Sequence, residues 1–196
     1  RLSIIDLSKN GRQPFEDKNS GNKLVFNGEI YNFTQIKSDL KSKGIKFDSF
    51  SDTEVLLLSL GYYGLKETLK KIRGMYSFAL YDKNLDQLII SRDEFGIKPI
   101  YFSTMMEGFF FSSELNALKM IIPEKKKIDD KKVIEHLKFQ YCSGNRTIFK
   151  GINRLRPGES LIIKNGKIIR SIFKKLLPKK NIICTEKFIK TKILNS

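Results

Sequence analysis

The chain has 196 residues, 40% of them hydrophobic and 11% aromatic, which suits one domain with a sizeable core and argues for a globular fold rather than disorder. No apolar run reaches the length of a membrane span and no secretory signal opens the chain, while Cys142 and Cys184 match no disulfide framework or metal spacing, so a cytoplasmic protein with reduced thiols is expected. The net charge of +16 raises nucleic acid as a partner, but the lysines are scattered and lack any recognition-helix, zinc-finger or RNA-platform motif, so nucleic acid is not expected.

In chain order, Ser3 to Leu7 is rich in Ile and reads as a short strand ended by the Gly11 to Pro14 loop. Leu24 to Phe26 is a strand-like apolar run leading into Asn27-Gly28-Glu29. Phe33, Ile36 and Leu40 fall three and four apart, predicting an amphipathic helix that Asn32 or Thr34 can cap and Gly44 terminates. A second helix opens at Ser51-Asp52-Thr53-Glu54, apolar all round and therefore buried, and a third is expected over Leu65 to Ile72. Met75 to Tyr81 and Leu88 to Ser91 read as strands, as do Ile97 to Ser103 and Phe109 to Ser112 across a Glu107-Gly108 turn. Leu115 to Ile121 is short and helical, and Asp129-Asp130 starts a further helix bearing Val133, Ile134 and Leu137. Leu161 to Ile163 and Ile168-Ile169 flank Asn165-Gly166 as a hairpin. Helices first, hairpin-linked strands after, and no regular βαβ alternation predict α+β layers.

Asn27-Gly28 supports two readings. On local sequence alone a type I′ turn comes first. The alternative is a pair of donors at a strand end, a side-chain NH₂ and a backbone N–H without a Cβ, suited to a developing oxyanion, with Glu29 beside them for an amino group. Taken singly, Asp52 and Glu114 read as helix caps, and Arg92-Asp93 as a surface ion pair.

In order, RLSIID, QP, NGEIYN, SDTEV, RGMYSFALYD, RDEFGIKPIY, FSSEL and LRPGE form a series from Arg1 to about Gly166. It resembles the glutaminase domain of glutamine-hydrolysing asparagine synthetases, class II glutamine amidotransferases of the N-terminal-nucleophile hydrolase fold. The resemblance reverses the turn reading at Asn27. It implies an α+β fold, a four-layer αββα sandwich incomplete at its N-terminus, over residues 1–173. Residues 174–196 are a tail of unclear origin, for which a frameshifted or foreign segment is the expectation. It further implies that Asn27 and Gly28 form the oxyanion hole and that Arg1 pairs with the glutamine α-carboxylate. Leu2, Ser3, Ile4 and Ile5 line the pocket through their backbone, while Glu29 and Asp52 receive the α-ammonium. No metal or cofactor is expected in this chain. ATP and magnesium belong to a synthetase domain, whose phosphate loop the sequence does not contain, so L-glutamine and that domain are the expected partners, with a homodimer left open for the full enzyme.

The family's nucleophile is an N-terminal Cys whose α-amino group is the general base. Arg1 matches a position inside that domain, so a truncated chain, inactive alone, is expected. Cys142 reads as an incidental thiol, and His136, the single histidine, as a core-edge or surface residue. The alternatives are a non-catalytic glutamine-binding or interaction module, or an amidotransferase that feeds another carboxylate.

Overall fold

A computed structural model of the chain describes residues 12–105, 108–122, 127–174 and 190. The expected Ser3–Leu7 strand lies outside them. The elements are β1 (Phe15–Glu16), β2 (Lys23–Ile30), α1 (Phe33–Ser42), α2 (Asp52–Lys71), β3 (Gly74–Asp82), β4 (Gln87–Arg92), β5 (Tyr101–Met105), β6 (Gly108–Ser112), α3 (Leu115–Ile121), α4 (Asp130–Phe139), β7 (Asn153–Arg154), β8 (Glu159–Lys164) and β9 (Lys167–Phe173). Among the described residues the strands form a six-stranded sheet, β1-β2-β3-β4-β8-β9, and a three-stranded sheet, β6-β5-β7, with every pairing antiparallel.

Alternation along each strand assigns the faces. Leu24, Phe26 and Ile30 of β2 share a face with Tyr76, Phe78 and Leu80 of β3, packed under Ile36 and Leu40 of α1 and Val55, Leu56, Leu57 and Leu60 of α2. On the other face Ala79, Ile90, Leu161 and Ile163 meet Ile100, Phe102 and Leu155, with Val25, Phe109 and Phe111 at the margin. Beyond the small sheet, Leu118 of α3 packs with Ile122 and Ile152 against Tyr101 and Phe110. Helix, sheet, sheet and helix are the four expected layers. Burying each large side chain in these clusters contributes roughly 1.5–3 kcal/mol.

Several local expectations are corrected. Asn27-Gly28 is not a turn, because β2 runs through it in unbroken register, Asn27 opposite Ser77 and Gly28 opposite Tyr76. Asn165-Gly166 is the hairpin turn, with φ of 50° and 71° as type I′ demands. Asn32 does not cap α1. Its Nδ2 donates to Lys71 O at 2.9 Å and its Oδ1 accepts from Arg73 N at 2.8 Å, tying the start of α1 to the end of α2. Gly44 does end that helix, donating to Lys41 O with φ of 84°. The third helix is present as expected, set off from the first part of α2 by Gly64, whose φ of 73° and ψ of 170° are non-helical. β5 starts at Tyr101 rather than Ile97, since the Ile97 and Lys98 N–H groups are bound by a carboxylate. Among the described residues no helix is long and apolar enough to cross a membrane.

Candidate active site

Antiparallel strands turn successive N–H groups to alternate neighbours. Tyr31 N–H bonds Arg73 O at 2.8 Å, which sets the odd residues of β2 toward β3 and the even ones toward its other edge. β1 covers that edge only at Lys23 and Leu24. Farther along, Phe26 N–H donates to Gln13 Oε1 at 2.8 Å and Ile30 N–H to Asp52 Oδ2 at 3.1 Å. Gly28 N–H, between them, has no partner among the described residues. Tyr76, opposite Gly28, gives its own backbone groups to Asp93.

Only glycine fits at residue 28. Its φ is +148°, and a Cβ there would run into the Met75 carbonyl oxygen. Gly74 repeats the situation from the facing strand, its Cβ position blocked by the Glu29 carbonyl oxygen. The two backbones approach each other where side chains are missing.

Asn27 opens onto a cavity of about 570 Å³ between the sheets. Val25, Ala79, Ile100 and Phe111 form its apolar wall, and Gln13, Asn27, Ser77, Ser112, Ser113 and Glu114 its polar lining. Glu114 stands at the start of α3 without capping it, contrary to expectation, and its N–H donates to Ser112 Oγ at 3.0 Å.

At the far end of β2, Asp52 is 4% exposed. The cap of α2 is Ser51, whose Oγ accepts Thr53 N–H, so the capping assigned to Asp52 belongs one residue earlier. Burial raises the Asp52 carboxyl above its ordinary pKa, the nearby Glu29 charge adds to this, and the Ile30 and Thr53 N–H groups oppose it. Two carboxylates gathered here at the edge of the core favour a cationic ligand. Glu54 fixes the approach to α2, accepting from Asp48 N, Ser49 N and Ser49 Oγ at 2.7–2.8 Å.

Arg92 and Asp93 are buried and do not pair with each other, unlike the expected surface ion pair. Asp93 accepts four N–H groups, from Tyr76, Phe95, Ile97 and Lys98. The Arg92 guanidinium donates to the carbonyls of Lys98, Leu155 and Gly96. Backbone partners explain the burial, because each charge is spread over several oriented peptide dipoles. Cys142 follows α4, its thiol 3.6 Å from Lys132 O, and His136 is exposed on α4; neither lines the cavity.

The structure thus brings Asn27, Gly28, Glu29 and Asp52 along one strand and its edge, while Arg1, Leu2, Ser3, Ile4 and Ile5 lie outside the described residues. Sequence reading gave no role to Gln13 and only that of a helix cap to Glu114. Both stood inside motifs of the series, QP and FSSEL, and that was the signal available.

A family model described as a glutamine amidotransferase domain matches residues 1–174. The chain belongs to that family. Asparagine synthetase [glutamine-hydrolyzing] 1 of Bacillus subtilis is 37% identical over 84% of this chain and 26% of its own length. Asparagine synthetase [glutamine-hydrolyzing] 3 of the same organism is 31% identical over 82% of the chain, and an amidase of Gibberella zeae 33% over 84%. The glutamine phosphoribosylpyrophosphate amidotransferase of B. subtilis shares the fold, with a TM-score of 0.62, 22% identity, and coverage of 87% of this chain and 33% of that one. The amidotransferase domain therefore has the αββα sandwich of N-terminal-nucleophile hydrolases, and it spans about a quarter of the curated relatives it matches.

Proposed function

We propose that this amidotransferase domain is the glutaminase part of a glutamine-hydrolysing asparagine synthetase, acting in the cytoplasm. Glutamine is split to glutamate and ammonia, and a synthetase part uses the ammonia to amidate aspartate with ATP. The observation that carries the reading is the Gly28 N–H, without a partner among the described residues, between two satisfied neighbours on the β2 edge and next to the Asn27 carboxamide.

In this reading the glutamine side chain enters the cavity, and its carbonyl oxygen accepts from Gly28 N–H and Asn27 Nδ2. Attack at the carbonyl carbon moves charge onto that oxygen, and each fixed donor stabilises the charge by about 3 kcal/mol. The α-ammonium falls between Glu29 and Asp52, where it offsets the cost of the buried carboxylate, and Arg1 takes the α-carboxylate through a guanidinium fork. Leu2 to Ile5 line the pocket with backbone. The attacking thiolate and its base belong to the family's N-terminal Cys, and the cavity lining among the described residues contains no Cys or His. Turnover in this reading depends on that Cys.

ATP and Mg²⁺ belong in this reading to the synthetase part. Among the described residues no group of three or more His, Cys, Asp or Glu could hold a metal. Calorimetric titration of the purified chain with L-glutamine tests the site. Saturable binding that Glu29→Gln weakens about tenfold, the loss of one charge-assisted contact, is the expected result. No binding by the unsubstituted chain overturns the reading. The Gibberella amidase, 33% identical, favours a second reading in which the same glutaminase chemistry feeds another carboxylate acceptor.

A further inference from the structure

The Gln13 carboxamide is fixed end for end. Phe26 N–H can only donate, and it meets Gln13 Oε1 at 2.8 Å, so the other end of the side chain must be the NH₂ group. No described residue accepts from that Nε2, and Gln13 lines the same cavity as Asn27. Phe26 and Asn27 are consecutive, so the bond that orients Gln13 anchors it one residue from Asn27. Two carboxamides thus serve one cavity, each with NH₂ donors to offer, above an apolar wall formed by Val25, Ala79, Ile100 and Phe111. An apolar wall crowned by donors suits a short aliphatic side chain that ends in an acceptor oxygen.

We propose that Gln13 is a further substrate-binding residue, donating from Nε2 to the side-chain carbonyl oxygen of the bound amino acid and selecting ligands that carry one. This rests on the glutaminase reading and adds to it a residue that discriminates at the carboxamide end. Oε1 has a separate task, holding Phe26 N–H and with it the edge of β2. One side chain therefore performs a structural and a recognition role with different atoms.

The variant Gln13→Glu separates them. A carboxylate still accepts Phe26 N–H but presents an acceptor where the NH₂ stood. The melting temperature and the slow hydrogen exchange of the Phe26 amide are expected to stay at wild-type values. Calorimetry on the chain should show the L-glutamine Kd rising about tenfold or more, as a donor is replaced by an opposing acceptor. The Kd for L-norvaline, which has the same aliphatic length without a carboxamide, should change less than about twofold. Gln13→Leu loses both tasks, so Phe26 exchange accelerates as well. An unchanged glutamine Kd in Gln13→Glu overturns the inference while leaving the glutaminase reading intact. An equal loss for glutamine and norvaline also overturns it, as the mark of a purely structural role. Failure of the unsubstituted chain to bind glutamine overturns both.

Discussion

The environment that positions Asp52 opposes its charge. Burial is the largest influence on its carboxyl and raises the pKa, so the native state takes up a proton more readily than the unfolded chain. Its contribution to stability is therefore fully present below the ordinary Asp pKa of about 3.9, and it is lost as pH rises through the raised native value. Asp52→Asn keeps an oxygen for Ile30 N–H and removes the charge. Urea unfolding should show this variant more stable than wild type at pH 7, with the gain vanishing as pH falls toward 4. Glutamine binding should weaken in the same variant, since the strain of the bare carboxylate is what an ammonium relieves. At this scale the sequence was partly legible. The two Asn-Gly pairs are identical in composition, and only the cross-strand partners, Ser77 and Tyr76, decide that Asn27-Gly28 stays extended. Asn165-Gly166 has no such partners and turns. The burial of Arg92 and Asp93 was invisible for a related reason, because their partners are backbone groups that carry no side-chain signature.

Among the elements, α2 shows how far local pattern reaches. Its start, its buried apolar faces and the separate second half from Leu65 were readable, but which glycine carries the break was not. Gly61 and Gly64 look alike in sequence, yet Gly64 has φ of +73° whereas Gly61 has no such constraint, and a Cβ meets nothing within 4 Å at either. The two alanine variants should consequently move in opposite directions. Gly61→Ala is expected to stabilise by about 0.5–1 kcal/mol through lower unfolded-state entropy. Gly64→Ala is expected to cost about 1 kcal/mol or more, because the kink forces a left-handed backbone. Chemical denaturation of the pair measures both. β5 teaches the complementary lesson. Ile100 to Ser103 has strand composition, but Lys98 and Pro99 precede it, and the Ile97 and Lys98 N–H groups are claimed by Asp93 before a neighbouring strand can bond them.

For the whole molecule, the pattern of elements predicted α+β layers, and the arrangement in four came from the family resemblance. The cavity was not visible in the sequence, because it depends on two sheets that meet through residues far apart in sequence, Val25 and Phe111 among them. The charge of +16 is spread over the entire chain and repels itself, so moderate salt should raise the melting temperature as screening shortens to about 8 Å at 0.15 M. Any association with duplex DNA at low salt should fade over the same range, which a fluorescence titration at two salt concentrations checks. The two glycines on neighbouring strands, Gly28 and Gly74, have a consequence for anyone who would redesign the pocket. The donor at residue 28 is a property of the scaffold, as fixed as the spacing of the strands, and no choice of side chain at either glycine can retune it. Variation in what the pocket accepts has to enter through its neighbours, which makes Asn27 and Gln13 the adjustable parts of an otherwise rigid instrument.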